Sequence, residues 1–194
     1  MAQATEVTRM LNGVEVPAPG KWVFDKEHTR IGFIGRHLMV TKVRGYFHEF
    51  DGSIMIAERP EDSTAEVTIV TNTVDTGLEM RDKHLRSADF FEIDKYPTMS
   101  FKSTGVEVTG QNELKLTGDL TVRDVTHPLT LDVEFEGMAF DVMGRIRAVF
   151  SASAEILRDD WGLTWNQAIE TGGVFVGPKV KIEIDLEAVP EGQE

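Results

Sequence analysis

Two short polar clusters bring together the side chains best suited to bind or transform a ligand. The first covers residues 36–45 and the second residues 81–91, and each combines several cations with one histidine. Both clusters lie at the boundary of a predicted strand, where a substrate or the headgroup of a lipid could be met. Charge runs of this kind more often form a solvated surface, so the pattern alone leaves a binding role and a structural role open.

The five histidines form no recognisable metal or catalytic motif, because H-E-x-x-H, G-x-S-x-G and P-loop patterns are all missing from the sequence. His84 could act as a base oriented by Asp82, but residues two apart on a helix point in different directions. The absence of cysteine excludes thiolate nucleophiles and cysteine-based metal sites. We therefore predict no enzyme activity and no metal site, and keep a small-molecule enzyme using His84 and Asp82 as an alternative.

The elements that must position these clusters are strands. In residues 114–122, 129–135, 146–156 and 180–186 the apolar side chains keep to one parity along the whole stretch. A side-chain period of two is the period of a β-strand, so each stretch has one polar and one apolar face. Further strands are predicted in residues 21–25, 30–35, 45–50, 53–57, 64–71 and 98–109.

About nine short strands with mostly short links predict an all-β protein, either an antiparallel barrel or a sandwich. Asp51-Gly52 has the composition of a tight hairpin between two of the strands. Residues 79–88 are rich in helix formers and charge, and we predict one short helix there.

Small side chains favour a barrel over a sandwich. The inward parity includes Gly118, Ala148 and Ala152, whereas the facing layers of a sandwich are normally bulky. A barrel of about eight strands either fills itself or holds one small ligand. The small residues thus predict a hollow interior, but they would equally accommodate large neighbours such as Phe150 or Trp161. A filled barrel that serves as an interaction module therefore stays open.

The bulk properties limit the partners. A length of 194 residues suits one barrel domain at residues 21–189, with a flexible arm at 1–20 and a tail at 190–194. A net charge of −13 argues against nucleic acid and against stable membrane insertion, since anionic lipids repel it. Residues 1–20 lack the apolar run of a signal peptide, so we expect a cytoplasmic protein.

An ordered series of short motifs runs through the chain. Its main members are Trp22-Val23-Phe24-Asp25, His28-Thr29, Arg36-His37-Leu38-Met39-Val40, Arg81-Asp82-Lys83-His84-Leu85, Asp89-Phe90-Phe91, Thr126-His127-Pro128, and Arg158 with Trp161-Gly162-Leu163. Through these motifs the chain resembles the YceI-like family of lipid- and polyisoprenoid-binding proteins over about residues 20–188. Thr29 stands where that family usually has serine, and the change keeps the hydroxyl group.

The resemblance implies an extended, lipocalin-like antiparallel β-barrel whose apolar channel holds an isoprenoid or another long-chain amphiphile, and it suggests a homodimer. We accordingly predict a non-catalytic carrier without a cofactor, unless a bound isoprenoid or quinone lipid is counted as one. The predicted channel lining is Phe33, Phe101, Leu116, Leu120, Leu131, Phe135, Ile146, Phe150 and Trp161. Family position and charge place Arg36, His37, Arg81 and His84 near the headgroup.

Overall fold

The computed structural model describes residues 7–38, 40–142, 144–168 and 175–193, which are mostly β-strand. Thirteen strands and one α-helix lie within these residues. In chain order the strands are β1 (Thr8–Leu11), β2 (Val14–Pro17), β3 (Gly20–Phe24), β4 (Arg30–His37), β5 (Thr41–Phe47), β6 (Phe50–Ile56), β7 (Thr64–Val70), β8 (Val74–Asp75), β9 (Thr98–Val108), β10 (Glu113–Val122), β11 (Val125–Phe140), β12 (Ile146–Leu157) and β13 (Lys179–Pro190). The helix, α1, spans Glu79–Arg86.

Eight strands close into an antiparallel barrel, which confirms the predicted fold class. The hydrogen-bonded order is β12, β11, β10, β9, β7, β6, β3 and β13, and β13 pairs again with β12. In this register Leu116 lies opposite Leu131, and Ala152 lies opposite both Val133 and Ile184. Residues that lie opposite each other on paired strands share one face of the sheet. The side chains of the apolar parity on β10 to β13 therefore point into the barrel.

One long, interrupted hairpin forms a wall of the barrel. β3 and β4 pair in succession with β13, so that Phe24 lies opposite Ala188 and Arg30 opposite Asp185. β5 pairs with β4 and β6 pairs with β3 in the same way. The chain reverses between His37 and Thr41, which places that turn at one end of the barrel.

The hairpin predicted at Asp51-Gly52 is wrong. Both residues lie inside β6, and the strand break falls earlier, at residues 48–49. A Cβ atom at Gly52 would lie 2.5 Å from the ring of Phe24, well inside the contact distance of packed carbon atoms. The glycine therefore lets the Phe24 ring lie against β6 and does not form a turn.

Residues 8–17 form a hairpin that the sequence analysis does not predict for the flexible arm. Thr8 lies opposite Pro17, and the Asn12-Gly13 turn has the two positive φ angles, 51° and 85°, that tight hairpins favour. Arg9 donates hydrogen bonds to the Glu58 carboxylate at 2.7 Å and to the Ala57 carbonyl at 2.9 Å. These bonds attach the hairpin to the barrel end opposite the His37–Thr41 turn. Residues 1–6 lie outside the described part of the chain.

A buried arginine binds the chain where it passes from β3 to β4. Arg147, on β12, donates a hydrogen bond to Asp25, and its guanidinium also lies 3.3 Å from the Glu187 carboxylate. Burial raises the pKa of Asp25, but hydrogen bonds from Arg147 and His28 outweigh it and lower the value to about 2. Asp25, His28 and Glu187 are close enough to suit a metal ion. In this arrangement, however, the Arg147 guanidinium already supplies the positive charge.

The single predicted helix is confirmed by α1, which ends two residues earlier than expected. The N–H of Ser87 closes the last turn on the carbonyl oxygen of His84. Among the residues that the structure describes, no helix combines the length and the apolar character required to cross a bilayer.

Candidate functional site

The barrel encloses an elongated cavity of about 560 Å³. Its wall extends from β1 and β2 at one end to α1 and the segment after β12 at the other. Sites for small molecules typically have volumes of ~300–1,000 Å³, so the cavity is large enough for a ligand. Most of the predicted channel residues do line it: Phe33, Phe101, Leu116, Leu120, Leu131, Phe135, Phe150 and Trp161. Their contact with a ligand stays a prediction.

Ile146 is the exception among the predicted lining residues. It is buried at the start of β12 in a separate cluster with Trp22 and Ala148, away from the cavity wall formed by the described residues. The parity of β12 thus predicts the correct face for Ile146. It does not show that this end of the barrel is filled.

The small inward residues have two different roles. A Cβ atom at Gly118 would lie 2.4 Å from the ring of Phe101, so this glycine accommodates a large neighbour. Ala148 is buried against Trp22 and serves the same purpose. Ala152 instead lines the cavity. The interior is hollow as predicted, but of these three small residues only Ala152 borders the hollow space.

Charged side chains line the cavity only near its two ends, as far as the described residues show. Arg9, Glu61, Glu66 and Glu113 lie toward the end that carries the β1–β2 hairpin. The other end is lined by Arg36, His37, Arg81, His84 and Arg158, a set that we call the basic mouth. Between the two ends the wall is apolar, so a long chain inside the cavity would meet hydrocarbon along its length.

Aromatic rings connect the two sides of the basic mouth. The ring centroids of His37 and Phe175 are 4.4 Å apart, and those of Phe175 and Trp165 are 6.2 Å apart. Trp165 in turn lies 4.5 Å from His84, which is 5.1 Å from Phe90. All four contacts are edge to face, an arrangement that aromatic pairs prefer. The ring series therefore links the β4–β5 turn with α1.

A buried carboxylate fixes the start of α1. Asp82 is only 4% exposed and accepts hydrogen bonds from the backbone N–H and the hydroxyl of Thr76. The same Thr76 accepts a bond of 2.7 Å from Nε of Arg81, and its carbonyl accepts a second bond of 2.8 Å. Arg81 is therefore held in one position at the cavity wall.

The pairing of His84 with Asp82 that an enzyme would need is not formed. Asp82 is directed toward Thr76, whereas Nε2 of His84 lies 2.8 Å from the carboxylate of Asp89. The reason is the helix geometry, which separates residues two apart onto different sides. Asp89 lies beyond the end of α1, where sequence spacing alone does not reveal a contact.

Arg158 is a residue of the basic mouth that the sequence analysis does not assign to the headgroup. It is 4% exposed, donates from Nε to the carbonyl of Gly177 at 3.1 Å, and bonds the carbonyl of Leu163. Burial lowers its pKa, while the charge of Asp159 at 3.8 Å partly opposes that effect. Its hydrogen bonds go to neutral carbonyls, so the positive charge is offset only by Asp159. Its place among the family motifs is the sequence signal that points to it.

Comparison with known proteins agrees with the resemblance found in the sequence. The sequence model of the YceI-like domain matches residues 22–188. A UPF0312 protein of Staphylococcus epidermidis is 40% identical over 171 residues, which cover 86% of this chain and 96% of the relative.

Solved structures share the barrel. The Campylobacter jejuni YCEI protein superposes with a TM-score of 0.69 at 29% identity, covering 80% of this chain and 90% of that one. A polyisoprenoid-binding domain from Saccharophagus degradans superposes with a TM-score of 0.64 at 15% identity, covering 89% of this chain and 99% of the other. At that identity the second likeness concerns the fold alone.

Proposed function

Because the chain belongs to the YceI-like domain family, we propose that it binds a polyisoprenoid or another long-chain amphiphile in the barrel and carries it without chemical change. The observation that carries the proposal is the apolar cavity of about 560 Å³, whose charged lining is confined to its ends among the residues that the structure describes. The name of the Saccharophagus degradans domain, which has the same fold, agrees with this class of ligand.

The cavity suits the tail of such a ligand. An apolar cavity of ~150 Å³ in another protein stays dry and binds benzene, so a space several times larger has room for a longer chain. Each buried methylene contributes ~0.8 kcal/mol relative to water. The competing environment for a lipid is a bilayer, which is equally apolar, so burial of the tail gives little net preference for the protein.

The headgroup must therefore contribute much of the preference. In this proposal Arg36, His37, Arg81 and His84 meet the headgroup, and Arg158 joins them from its buried position at the same end. Arginine presents several N–H donors in a planar fork that matches a carboxylate or a phosphate. Anionic headgroups fit this mouth best, and a quinone carbonyl would accept the same donors more weakly. Cytoplasmic location and a homodimer stay predictions.

The proposal is tested by purifying the full chain, extracting it with organic solvent and recording native mass spectra before and after extraction. We expect a co-purifying long-chain species, and rebinding of a prenyl phosphate to the extracted protein. The double variant Arg36→Gln/His84→Gln should rebind it more weakly, whereas Lys102→Gln, which changes an exposed cation on β9, should not. Finding no long-chain species and no rebinding would refute a carrier function.

A further inference from the structure

The turn between β4 and β5 exposes apolar side chains beside the basic mouth. Leu38 is 40% exposed and Val40 is 74% exposed, although both have large hydrophobic side chains. The turn is tied to the mouth, because the N–H of Leu38 donates to the carbonyl of Phe175 at 2.9 Å. Met80, at the start of α1 and next to Arg81, is 77% exposed as well. Apolar side chains thus project from the β4–β5 turn and from α1, two of the three segments that carry the mouth.

The same hairpin has an unusual charge for this protein. Residues 29–48 contain four Lys and Arg residues and no Asp or Glu, within a chain of net charge −13. Within the described residues, Arg36, Lys42 and Arg44 form no ion pair, whereas most basic side chains elsewhere in the barrel do, Lys115 and Lys179 among them. Glu183 on β13 interacts with Lys42 and Arg44 only at longer range, so the two strands of the turn keep an excess of positive charge.

We propose that this turn docks the mouth of the barrel onto a bilayer that contains anionic lipids, so that the ligand passes between bilayer and cavity without crossing water. The inference rests on the proposed function, since it concerns the way in which a lipid reaches the same cavity. Exposed apolar side chains flanked by cations match a surface that is apolar inside and anionic outside.

A bilayer fits these observations better than a protein partner does. The apolar side chains lie next in sequence to His37 and Arg81, which line the cavity at its basic end, and the ligand's alternative environment is a bilayer. The rest of the barrel is strongly acidic and is repelled by anionic lipids, so docking through one turn is transient. The net charge of the whole chain argues against stable insertion into a bilayer. It does not argue against transient docking through a local cationic hairpin.

The test is co-sedimentation of the full chain with vesicles of phosphatidylcholine alone or mixed with phosphatidylglycerol. We expect binding to the mixed vesicles only, and weaker binding in high salt. Each basic residue near an anionic surface contributes about fivefold to the affinity. The double variant Lys42→Glu/Arg44→Glu should therefore lose at least about tenfold, and Val40→Asp should lose binding through the apolar contact.

The matched control is Arg59→Glu/Lys102→Glu, which makes the same change in net charge but acts away from the mouth. Arg59 lies in the turn at the opposite end of the barrel, and its side chain is 72% exposed. This control should retain most of the binding if the hairpin is the docking surface. An equal loss in both double variants, or no binding to either vesicle type, would overturn the proposal.

The lipid content of each variant separates this inference from the proposed function. If the protein co-purifies with a long-chain species but does not bind vesicles, docking is refuted and the carrier function is not. Protein that binds mixed vesicles through Lys42 and Arg44 but never holds a long-chain species would refute the carrier function and leave docking intact.

Discussion

Replacing Ala152 with phenylalanine places a phenyl ring in the cavity without changing the outer face of the sheet. Ala152 lines the cavity from β12, where it lies opposite Val133 and Ile184. In a hollow barrel the new ring finds space and buries apolar surface, which stabilises the ligand-free protein by about 1–2 kcal/mol. In a filled barrel the same ring would cost about 1–3 kcal/mol through overpacking.

Thermal unfolding of the extracted protein measures this difference. For a domain of this size, 1 kcal/mol corresponds to about 2–4 °C in Tm, so Ala152→Phe should unfold a few degrees above the parent protein. The ring also takes the place of several ligand carbons. For a ligand added in water to the extracted protein, each methylene contributes ~0.8 kcal/mol, so the loss of only two lowers the affinity about tenfold, which native mass spectrometry detects as reduced occupancy.

Ser153→Phe is the matched control, because Ser153 lies on the other face of β12, opposite Asp132 and Glu183. It should leave the ligand occupancy unchanged. An Ala152→Phe protein with a clearly lower Tm and full ligand occupancy would refute the reasoning, since it would show that the interior is packed and that the ligand lies elsewhere.

Three further predictions follow from the described contacts. Gly52→Ala should lower the free energy of unfolding by about 1–3 kcal/mol in urea titrations, because its Cβ would lie 2.5 Å from the Phe24 ring. The folded-state pKa of Asp25, about 2, is below its unfolded value, so the hydrogen bonds that its carboxylate accepts from Arg147, His28 and the backbone together add roughly 1–2 kcal/mol of stability above about pH 4. That stability is lost as the pH falls toward 2, and in Asp25→Asn the pH dependence over this range should be weaker. Arg36→Gln should weaken binding of a prenyl phosphate several-fold in competition assays and leave binding of a neutral long-chain alcohol unchanged.

Controls are available in the same chain. Gly105→Ala adds a methyl group where no atom lies within 4 Å, so its effect on unfolding should be small. Equal destabilisation by both glycine substitutions would contradict the close-approach argument for Gly52. For Asp25, stability curves of parent and Asn variant that run parallel between pH 5 and about 2 would contradict the assigned pKa. Equal loss of both ligands in Arg36→Gln would show that its side chain does not discriminate headgroup charge.

Long alternating stretches made the barrel predictable from the sequence. In β10 and β13 the apolar parity extends over the whole strand, and a register slip of one residue would turn these side chains outward. Short signals were less reliable. Asp51-Gly52 has turn composition but lies within β6. Gly52 is there because the ring of Phe24, which is distant in sequence, packs too close to leave room for a side chain. Asn12-Gly13 is an equally short signal and does form a hairpin turn.

The site was partly predictable for a similar reason. Parity identifies inward residues such as Leu116, but it does not indicate where along the barrel the interior is filled. Ile146 has the inward parity, yet it lies in a buried cluster and does not line the cavity. The contact of His84 with Asp89 depends on how the chain leaves α1, which spacing does not reveal. Arg158 begins a single turn of 3-10 helix, Arg158–Trp161, directly after β12. A turn of four residues is too short for sequence periodicity to show which way a side chain points.

The most direct measurement of the central claim is a crystal structure of the protein purified without delipidation. We expect continuous tubular density along the apolar interior, ending among Arg36, His84 and Arg158. Side chains packed against one another through the barrel, or a cavity that holds only ordered water, would contradict it.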